Sequence, residues 1–279
     1  ELTTVGAGRD FPAAYALKVV ETKGLKVGIL AYGEAQFGAI LHEYDDSGGF
    51  AWINHPRVND YIVIARKKVD LLIIQVHAGV EEIDLPLPEW RDRYRQLIHL
   101  GADAVIGHHP HVRQGWELYQ GKPVVYSLGN FILDPFHKRG VDSTGFLVEL
   151  TYDGGVFSSI QFYPVVQKNG IVEIDQQNNA ELEIERLSGL LSPSEEYENS
   201  VNHMSVKLWQ SIYKEYYKQA AGAMYGKKFL RSLARITRNL LSSQARIRND
   251  LLLLHNIRIE SHRWCVERAL SILINEKYH

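Results

Sequence analysis

The side chains with the clearest capacity for chemistry are three histidines within four positions, in the run Gly107-His108-His109-Pro110-His111. Neutral imidazole binds Zn, Fe and Ni ions, and we also consider Mn. Proline fixes the backbone between His109 and His111, so little conformational entropy is lost when both side chains bind one ion. A bound divalent ion lowers the pKa of its water to about 7 and so supplies a nucleophile at neutral pH. The run therefore predicts a metal site.

A short apolar segment, residues 104–106, leads into this run of histidines. A second apolar segment, residues 71–76, leads in the same way into His77. Open α/β sheets build their sites at the carboxyl ends of neighbouring parallel strands, where loops are held by a rigid scaffold. We therefore predict His77, His109 and His111 as metal ligands. In the alternative interpretation these histidines cap strands or bond backbone groups, which is the more common role for a single histidine.

Strand and helix patterns alternate through the first half of the chain, which predicts parallel strands joined by right-handed crossovers. The turn Asp153-Gly154-Gly155 predicts a hairpin that extends the same sheet in antiparallel fashion. Polar residues over 167–194 predict an irregular connection with one short strand, and from 195 onward the spacing is helical. We predict strands over 26–32, 71–76, 104–106, 123–128, 145–152 and 156–166, and helices over 57–68 and 88–100.

Composition is ordinary for a globular protein, with 45% hydrophobic and 23% charged residues among 279. The single cysteine, Cys265, excludes an internal disulfide framework. No apolar run reaches the roughly 20 residues of a transmembrane helix. The location stays open between the cytoplasm and association with the cell envelope. Residues 1–186 carry a net charge of −8 and residues 187–279 one of +6. This shift predicts an α/β domain over 1–186 and an all-α C-terminal domain over 187–279.

Three runs in order, at 76–81, 107–112 and 126–131, closely resemble the poly-γ-glutamate capsule synthesis (CapA-type) proteins, a branch of the calcineurin-like metallophosphoesterases. The resemblance covers about residues 1–165. It implies a metallophosphoesterase-like mixed sheet flanked by helices, and a divalent transition metal such as Mn, Fe or Zn. His77, His109 and His111 match histidines that bind metal in that superfamily, whereas His108 stands where the superfamily has glycine.

The chain departs from the superfamily at its N-terminus. The superfamily's early Asp motif, bridging carboxylate and Asn-His motif have no counterpart here. We therefore expect that the chain is part of a longer protein and that a binuclear site forms only with a preceding segment. Without the strands of that segment, the strand at 26–32 or its neighbours would be an exposed apolar edge.

Three neighbours of the predicted ligands have two interpretations each. His108 donates a proton to a leaving group or is a plain loop residue. Glu81, four residues after His77, orients an imidazole or is a carboxylate at a helix start. Asn130 turns its amide toward the site or stabilises the turn after its strand.

A basic stretch lies between residues 216 and 249, with eight basic residues and no acidic one. On a helix, four of them form one face, opposite an apolar face. This face could rest on an anionic membrane surface or an acidic polymer, or it could simply be solvated. Nucleic acid binding is not indicated, because no recognition motif accompanies the patch. The four residues of this face are Lys227, Arg231, Arg235 and Arg238.

These observations favour a metal-dependent hydrolase or transferase in capsule or exopolymer biosynthesis, acting on poly-γ-glutamate, a polysaccharide or a phosphoester. The alternative is a non-catalytic assembly or polymer-binding subunit that acts with capsule-synthesis proteins through its basic helical region. A third class is a phosphodiesterase unrelated to capsule. The capsule role comes from the resemblance, whereas the metal chemistry follows from the residues.

Overall fold

A computed structural model describes residues 3–132, 143–168, 170–177, 179–192, 195–220 and 243–278. Contacts between Cα atoms divide the chain into two compact units. One consists of Glu1–Glu34 and Gly38–Tyr197, and the other of Ala35–Phe37 and Glu198–His279. The domain boundary that the charge shift indicates, between residues 186 and 187, stays a prediction.

Among the described residues, the first unit contains three sheets. The largest has six strands in the order β2-β3-β6-β7-β9-β8, and β3, β6, β7 and β9 run parallel. The prediction of parallel strands joined by crossovers is therefore confirmed. The strands are β1 (Ala7–Gly8), β2 (Lys18–Thr22), β3 (Leu25–Gly33), β4 (Ala39–Ile40), β5 (Gly49–Ala51), β6 (Leu71–His77), β7 (Ala104–His108), β8 (Trp116–Tyr119), β9 (Lys122–Val125), β10 (Ser143–Asp153), β11 (Val156–Lys168) and β12 (Ile171–Ile174).

Helices pack on this sheet and bury its parallel strands. Leu72, Ile74 and Val76 alternate along β6 and therefore share one face of the strand, and all three are completely buried. Helix α2 packs on β6, and α3 packs on β7 and β9. The helices are α1 (Phe11–Ala14), α2 (Val58–Arg66), α3 (Pro88–His99), α4 (Ala180–Gly189), α5 (Glu195–Leu208), α6 (Lys214–Ala220), α7 (Ser243–Arg258) and α8 (Glu260–Tyr278).

The predicted hairpin is present, but it does not extend the large sheet. Strands β10, β11 and β12 pair antiparallel in a sheet of their own. The edge beside β9 is already occupied by β8, which pairs antiparallel with it from Trp116↔Val125 to Tyr119↔Lys122. The expectation of an antiparallel extension by this hairpin is therefore wrong, and β2 and β8 are the antiparallel strands of the large sheet.

The strand predicted at 26–32 is not an exposed edge. Strand β2 pairs antiparallel with β3 along its whole length, from Lys18↔Ile29 to Thr22↔Leu25. The edge that we expected at this strand or one of its neighbours therefore falls on the neighbour, β2. The sheet edge is β2 itself, a short strand that mixes half-exposed valines with charged and polar residues, as edge strands do.

The segment 167–194 contains a helix that its polar composition hides. The short strand predicted in this segment is β12. The helix α4 follows it, so the prediction of an otherwise irregular connection is wrong. Asn179 caps α4, because its Oδ1 accepts the backbone N–H groups of Glu181 and Leu182. Ile184 and Leu187 then bury one face of the helix.

From residue 198 onward the second unit is helical in the part that the structure describes, and the helical prediction from 195 onward is confirmed for 195–220 and 243–278. A π-helical turn, Trp209–Tyr213, separates α5 from α6. Val201, Cys265 and Ala269 are completely buried. Among the described residues, no helix has the length and apolarity needed to cross a membrane. The predicted basic face formed by Lys227, Arg231, Arg235 and Arg238 lies outside the described residues.

Candidate metal centre

The carboxyl ends of β6 and β7 bring the predicted ligands to one place. The two strands are parallel and in register, with His77 opposite His108. The loop after β7 then carries His109 and His111, whose backbone φ angles are +95° and +61°. Residues other than glycine rarely adopt this left-handed region, and such strain is concentrated at functional sites. The loop therefore holds its two histidines in a conformation that costs folding free energy.

The imidazoles of His77 and His109 converge on each other. His109 Nδ1 lies 3.1 Å from His77 Nε2, and the ring centroids are 4.8 Å apart. Histidine nitrogens bind Zn²⁺ at about 2.0–2.1 Å, so two nitrogens at this separation can share one ion. The donor set thus fits the divalent transition metal that the sequence predicts.

His111 and Glu81 also lie close to His109. Glu81, His109 and His111 each offer one ligand atom, and these atoms lie within 4.8 Å of one another. The Glu81 side chain is 63% exposed, and its Oε1 lies 4.0 Å from His109 Nε2. A carboxylate and imidazoles in one group form a mixed O/N ligand set, which suits first-row divalent metals.

Asn130 makes two hydrogen bonds with His111, one to the ring and one to the backbone. Its Nδ2 donates to the backbone carbonyl of His111 at 3.0 Å, so its Oδ1 is the atom that faces the ring, 2.8 Å from His111 Nδ1. The Nδ1–H of His111 therefore donates to Asn130. This leaves His111 Nε2 with a lone pair, as metal ligation requires.

Glu34 is a site residue that the sequence reasoning missed. It directly follows β3, its side chain is completely buried, and its Oε1 lies 3.4 Å from His109 Nε2. The signal that could have found it is the end of the strand at 26–32, because a third parallel strand delivers its next residue to the same sheet edge. We call His77, His109, His111, Glu34 and Asn130 the histidine cluster.

The His108 side chain contacts Gln75 and not the other histidines. Its Nε2 lies 2.7 Å from Gln75 Oε1, and burial lowers its pKa below the usual value. Its suggested role as a proton donor stays a prediction.

Electrostatics favour a neutral His77. Desolvation, and then the neighbouring His108 and His111, lower the pKa of His77 below its ordinary value. A neutral imidazole at pH 7 is the form that binds a metal ion, so no proton has to leave this ring first.

Comparison with known proteins gives related sequences for the first half of the chain. Residues 1–135 match the sequence model of the family "Bacterial capsule synthesis protein PGA_cap". The capsule biosynthesis protein CapA of Bacillus anthracis is 30% identical over 147 residues, which cover 51% of this chain and 36% of that protein. The PGA biosynthesis protein CapA of Bacillus subtilis (strain 168) is 40% identical over 79 residues, 28% of this chain and 21% of that protein.

Among solved structures, a hypothetical protein from Thermus thermophilus aligns with a TM-score of 0.36 at 16% identity, covering 55% of this chain and 62% of that one. The aligned part of this chain spans about a third of the length of the B. anthracis relative. The region matched by the family model contains β6, β7 and the loops that carry the histidines. Residues 1–135 are thus similar to the bacterial capsule synthesis protein family PGA_cap, and the aligned parts of the two CapA proteins are 30% and 40% identical to this chain.

Proposed function

We propose that the histidine cluster binds a divalent transition metal, and that the chain is a metal-dependent hydrolase or transferase in capsule or exopolymer biosynthesis. The observation that carries the proposal is the 3.1 Å separation of His77 Nε2 and His109 Nδ1 at one sheet edge. His109 lies on a loop whose backbone is strained at both His109 and His111. A histidine that only caps a strand needs neither this strain nor a second ring nitrogen close by.

In this proposal His77, His109 and His111 hold the ion, and Glu81 lies within reach of His109 and His111. The ion would act as a Lewis acid and would supply a nucleophile from water at neutral pH. Asn130 contacts the His111 ring through one hydrogen bond, to Nδ1, and the His111 backbone carbonyl through a second. Mn, Fe and Zn are the candidate ions, since all three accept imidazole and carboxylate ligands.

The substrate class follows from the family and the chemistry together. The B. anthracis relative is named a capsule biosynthesis protein and the B. subtilis relative a PGA biosynthesis protein. A metal-activated nucleophile attacks phosphoesters and carbonyl groups of the γ-glutamyl type. We therefore propose an anionic polymer or a phosphoester as substrate.

Turnover assays test this proposal. The purified chain, loaded with Mn²⁺, Fe²⁺ or Zn²⁺, is assayed on bis(p-nitrophenyl) phosphate and on poly-γ-glutamate. We expect turnover that is lost in the double variant His109→Gln/His111→Gln at unchanged melting temperature. His99→Gln at the exposed end of α3 is the matched control and should keep full activity. Turnover that survives the double variant would exclude the histidines as the active centre.

The result also separates the alternative functions. Turnover of the diester with no action on the polymer favours a phosphodiesterase unrelated to capsule. Absence of turnover in a folded, metal-loaded chain favours the assembly subunit.

A further inference from the structure

We propose that Glu34 is a positioning residue, which holds His109 in the tautomer with its proton on Nε2 and so presents the Nδ1 lone pair toward His77. The metal site that this arrangement serves rests on the proposed function. The tautomer itself is a property of the protein without metal and can be measured separately.

Glu34 is fixed to the strand that carries His77. Its backbone N–H donates to the His77 carbonyl at 3.0 Å, which continues the β3–β6 register past Gly33. At the side-chain end, the N–H of Gly79 lies 3.4 Å from Glu34 Oε1. Gly79 has φ +138°, and a Cβ there would come within 2.8 Å of Pro110 in the histidine loop. The backbone of Glu34 is therefore tied to His77, and its carboxylate is tied to Gly79, two residues further along the same chain segment.

The carboxylate dictates which ring nitrogen of His109 carries the proton. Glu34 Oε1 already accepts the backbone N–H of Gly79, so it faces His109 as an acceptor, and His109 Nε2 lies 3.4 Å from it. A proton on Nε2 makes this contact attractive, whereas a lone pair there would face another acceptor. With the proton on Nε2, Nδ1 carries the lone pair, and it is Nδ1 that lies 3.1 Å from His77 Nε2. A carboxylate behind a ligand histidine sets the ring tautomer in this way.

Burial distinguishes Glu34 from the other carboxylate near the same atom. Side-chain exposure is 0% for Glu34 and 8% for His109, whereas Glu81 is 63% exposed and its Oε1 lies farther away, at 4.0 Å. Electrostatic interactions are stronger where water is excluded. Glu34 rather than Glu81 should therefore set the tautomer, and Glu81→Gln is the matched control for the tautomer measurement.

The test is the tautomeric state of His109 in the metal-free protein, read from ¹⁵N chemical shifts of its two ring nitrogens in ¹⁵N-histidine-labelled protein at pH 8. Loss of signals in His109→Gln assigns the ring. We expect the Nε2–H form in the wild-type chain and in Glu81→Gln, and a mixture of both tautomers in Glu34→Gln. An Nδ1–H form in the wild-type chain would overturn the proposal, and this measurement needs no variant at position 34.

Metal affinity gives a second readout. Glu34→Gln should weaken Mn²⁺ or Zn²⁺ binding by about 10–100-fold, as loss of a carboxylate behind a ligand histidine does. Glu43→Gln, an exposed carboxylate paired with Arg57, should leave affinity unchanged. Unchanged affinity in a folded Glu34→Gln protein would also overturn the proposal. If the wild-type chain shows the Nε2–H form but binds no metal, the proposed function fails while the positioning role stands.

Discussion

Two groups of polar side chains in the first unit use the same sheet in different ways. In the histidine cluster, ring nitrogens converge on one another at the carboxyl ends of β6 and β7. The other group, the Glu117 cluster, consists of Glu117, Arg91, Arg95 and Tyr126. There Arg95 donates to both carboxylate oxygens at 2.7 and 2.6 Å, Tyr126 Oη donates at 2.5 Å and Arg91 Nη2 at 3.1 Å.

The two clusters differ in what their polar atoms contact. In the Glu117 cluster each charge ends on an opposite charge or a hydroxyl, and the arrangement strengthens the fold without offering a ligand atom to a metal. The histidine cluster aims two ring nitrogens at one point and places His109 and His111 in a strained backbone conformation. Such an arrangement costs folding free energy, which a metal-binding role would explain.

The largest effect on folding is expected from Glu117→Gln. The substitution leaves Arg91, whose side chain is only 5% exposed, without its carboxylate partner. Breaking a buried ion pair in this way costs about 3 kcal/mol of unfolding free energy. Urea denaturation measures the loss. Metal affinity should stay at the wild-type value, and a parallel drop in affinity would contradict the separation of the two clusters.

A smaller effect, and the opposite pattern, is expected from Asn130→Ala. It removes the acceptor that orients the His111 ring, so metal affinity should fall about 10-fold. The unfolding free energy should fall by about 2 kcal/mol, since two hydrogen bonds of about 1 kcal/mol each are lost. Isothermal titration calorimetry and urea denaturation measure the two quantities. Asn130→Asp keeps an Oδ acceptor and should bind metal nearly as well as the wild type. Equal losses in both variants would exclude the orienting role.

The smallest effect is the pH dependence of stability from the Glu117 cluster. Burial raises the pKa of Glu117, but the hydrogen bonds from Arg95 and Tyr126 and the charges of Arg91 and Arg95 outweigh it and lower the pKa below 4.5. A carboxyl with a lowered folded-state pKa stabilises the protein above its unfolded-state pKa, and this contribution is lost as the pH falls through the folded-state value.

The stability difference between the wild type and Glu117→Gln should therefore shrink as the pH falls below about 4.5, which is the ordinary pKa of a glutamate. Denaturation curves for both proteins between neutral and acid pH measure it. A difference that is independent of pH would mean that the Glu117 carboxyl does not titrate in this range.

Much of the fold around the site could be predicted from the sequence. Apolar runs that end in histidine located the carboxyl ends of β6 and β7, because buried parallel strands are continuous hydrophobic segments. The structure then places His77 and His109 side by side, as two neighbouring strand ends require. The spacing along the chain was enough to predict this contact, since His77 ends β6 and His109 directly follows β7.

The remaining features depend on contacts that spacing does not encode. Glu34 is 75 positions from His109, and a single glutamate after a strand is indistinguishable from a surface residue until β3 is placed beside β6. Helix α4 was missed because its sequence is mostly polar, and only Asn179 as its cap and two buried residues mark it. The sequence pattern did not predict β8, which occupies the edge of the large sheet beside β9. The prediction therefore placed the β10–β11 hairpin in the large sheet, whereas it belongs to a sheet of its own.

The most direct test of the central claim is the number of metal ions bound per chain, measured by inductively coupled plasma mass spectrometry on protein purified without chelators. The same measurement is made on His77→Gln/His109→Gln, which loses both converging nitrogens. We expect at least one transition-metal ion per wild-type chain, and none in the folded double variant. A wild-type chain without metal, or a double variant that keeps its ion, would contradict the assignment of the histidine cluster as a metal centre.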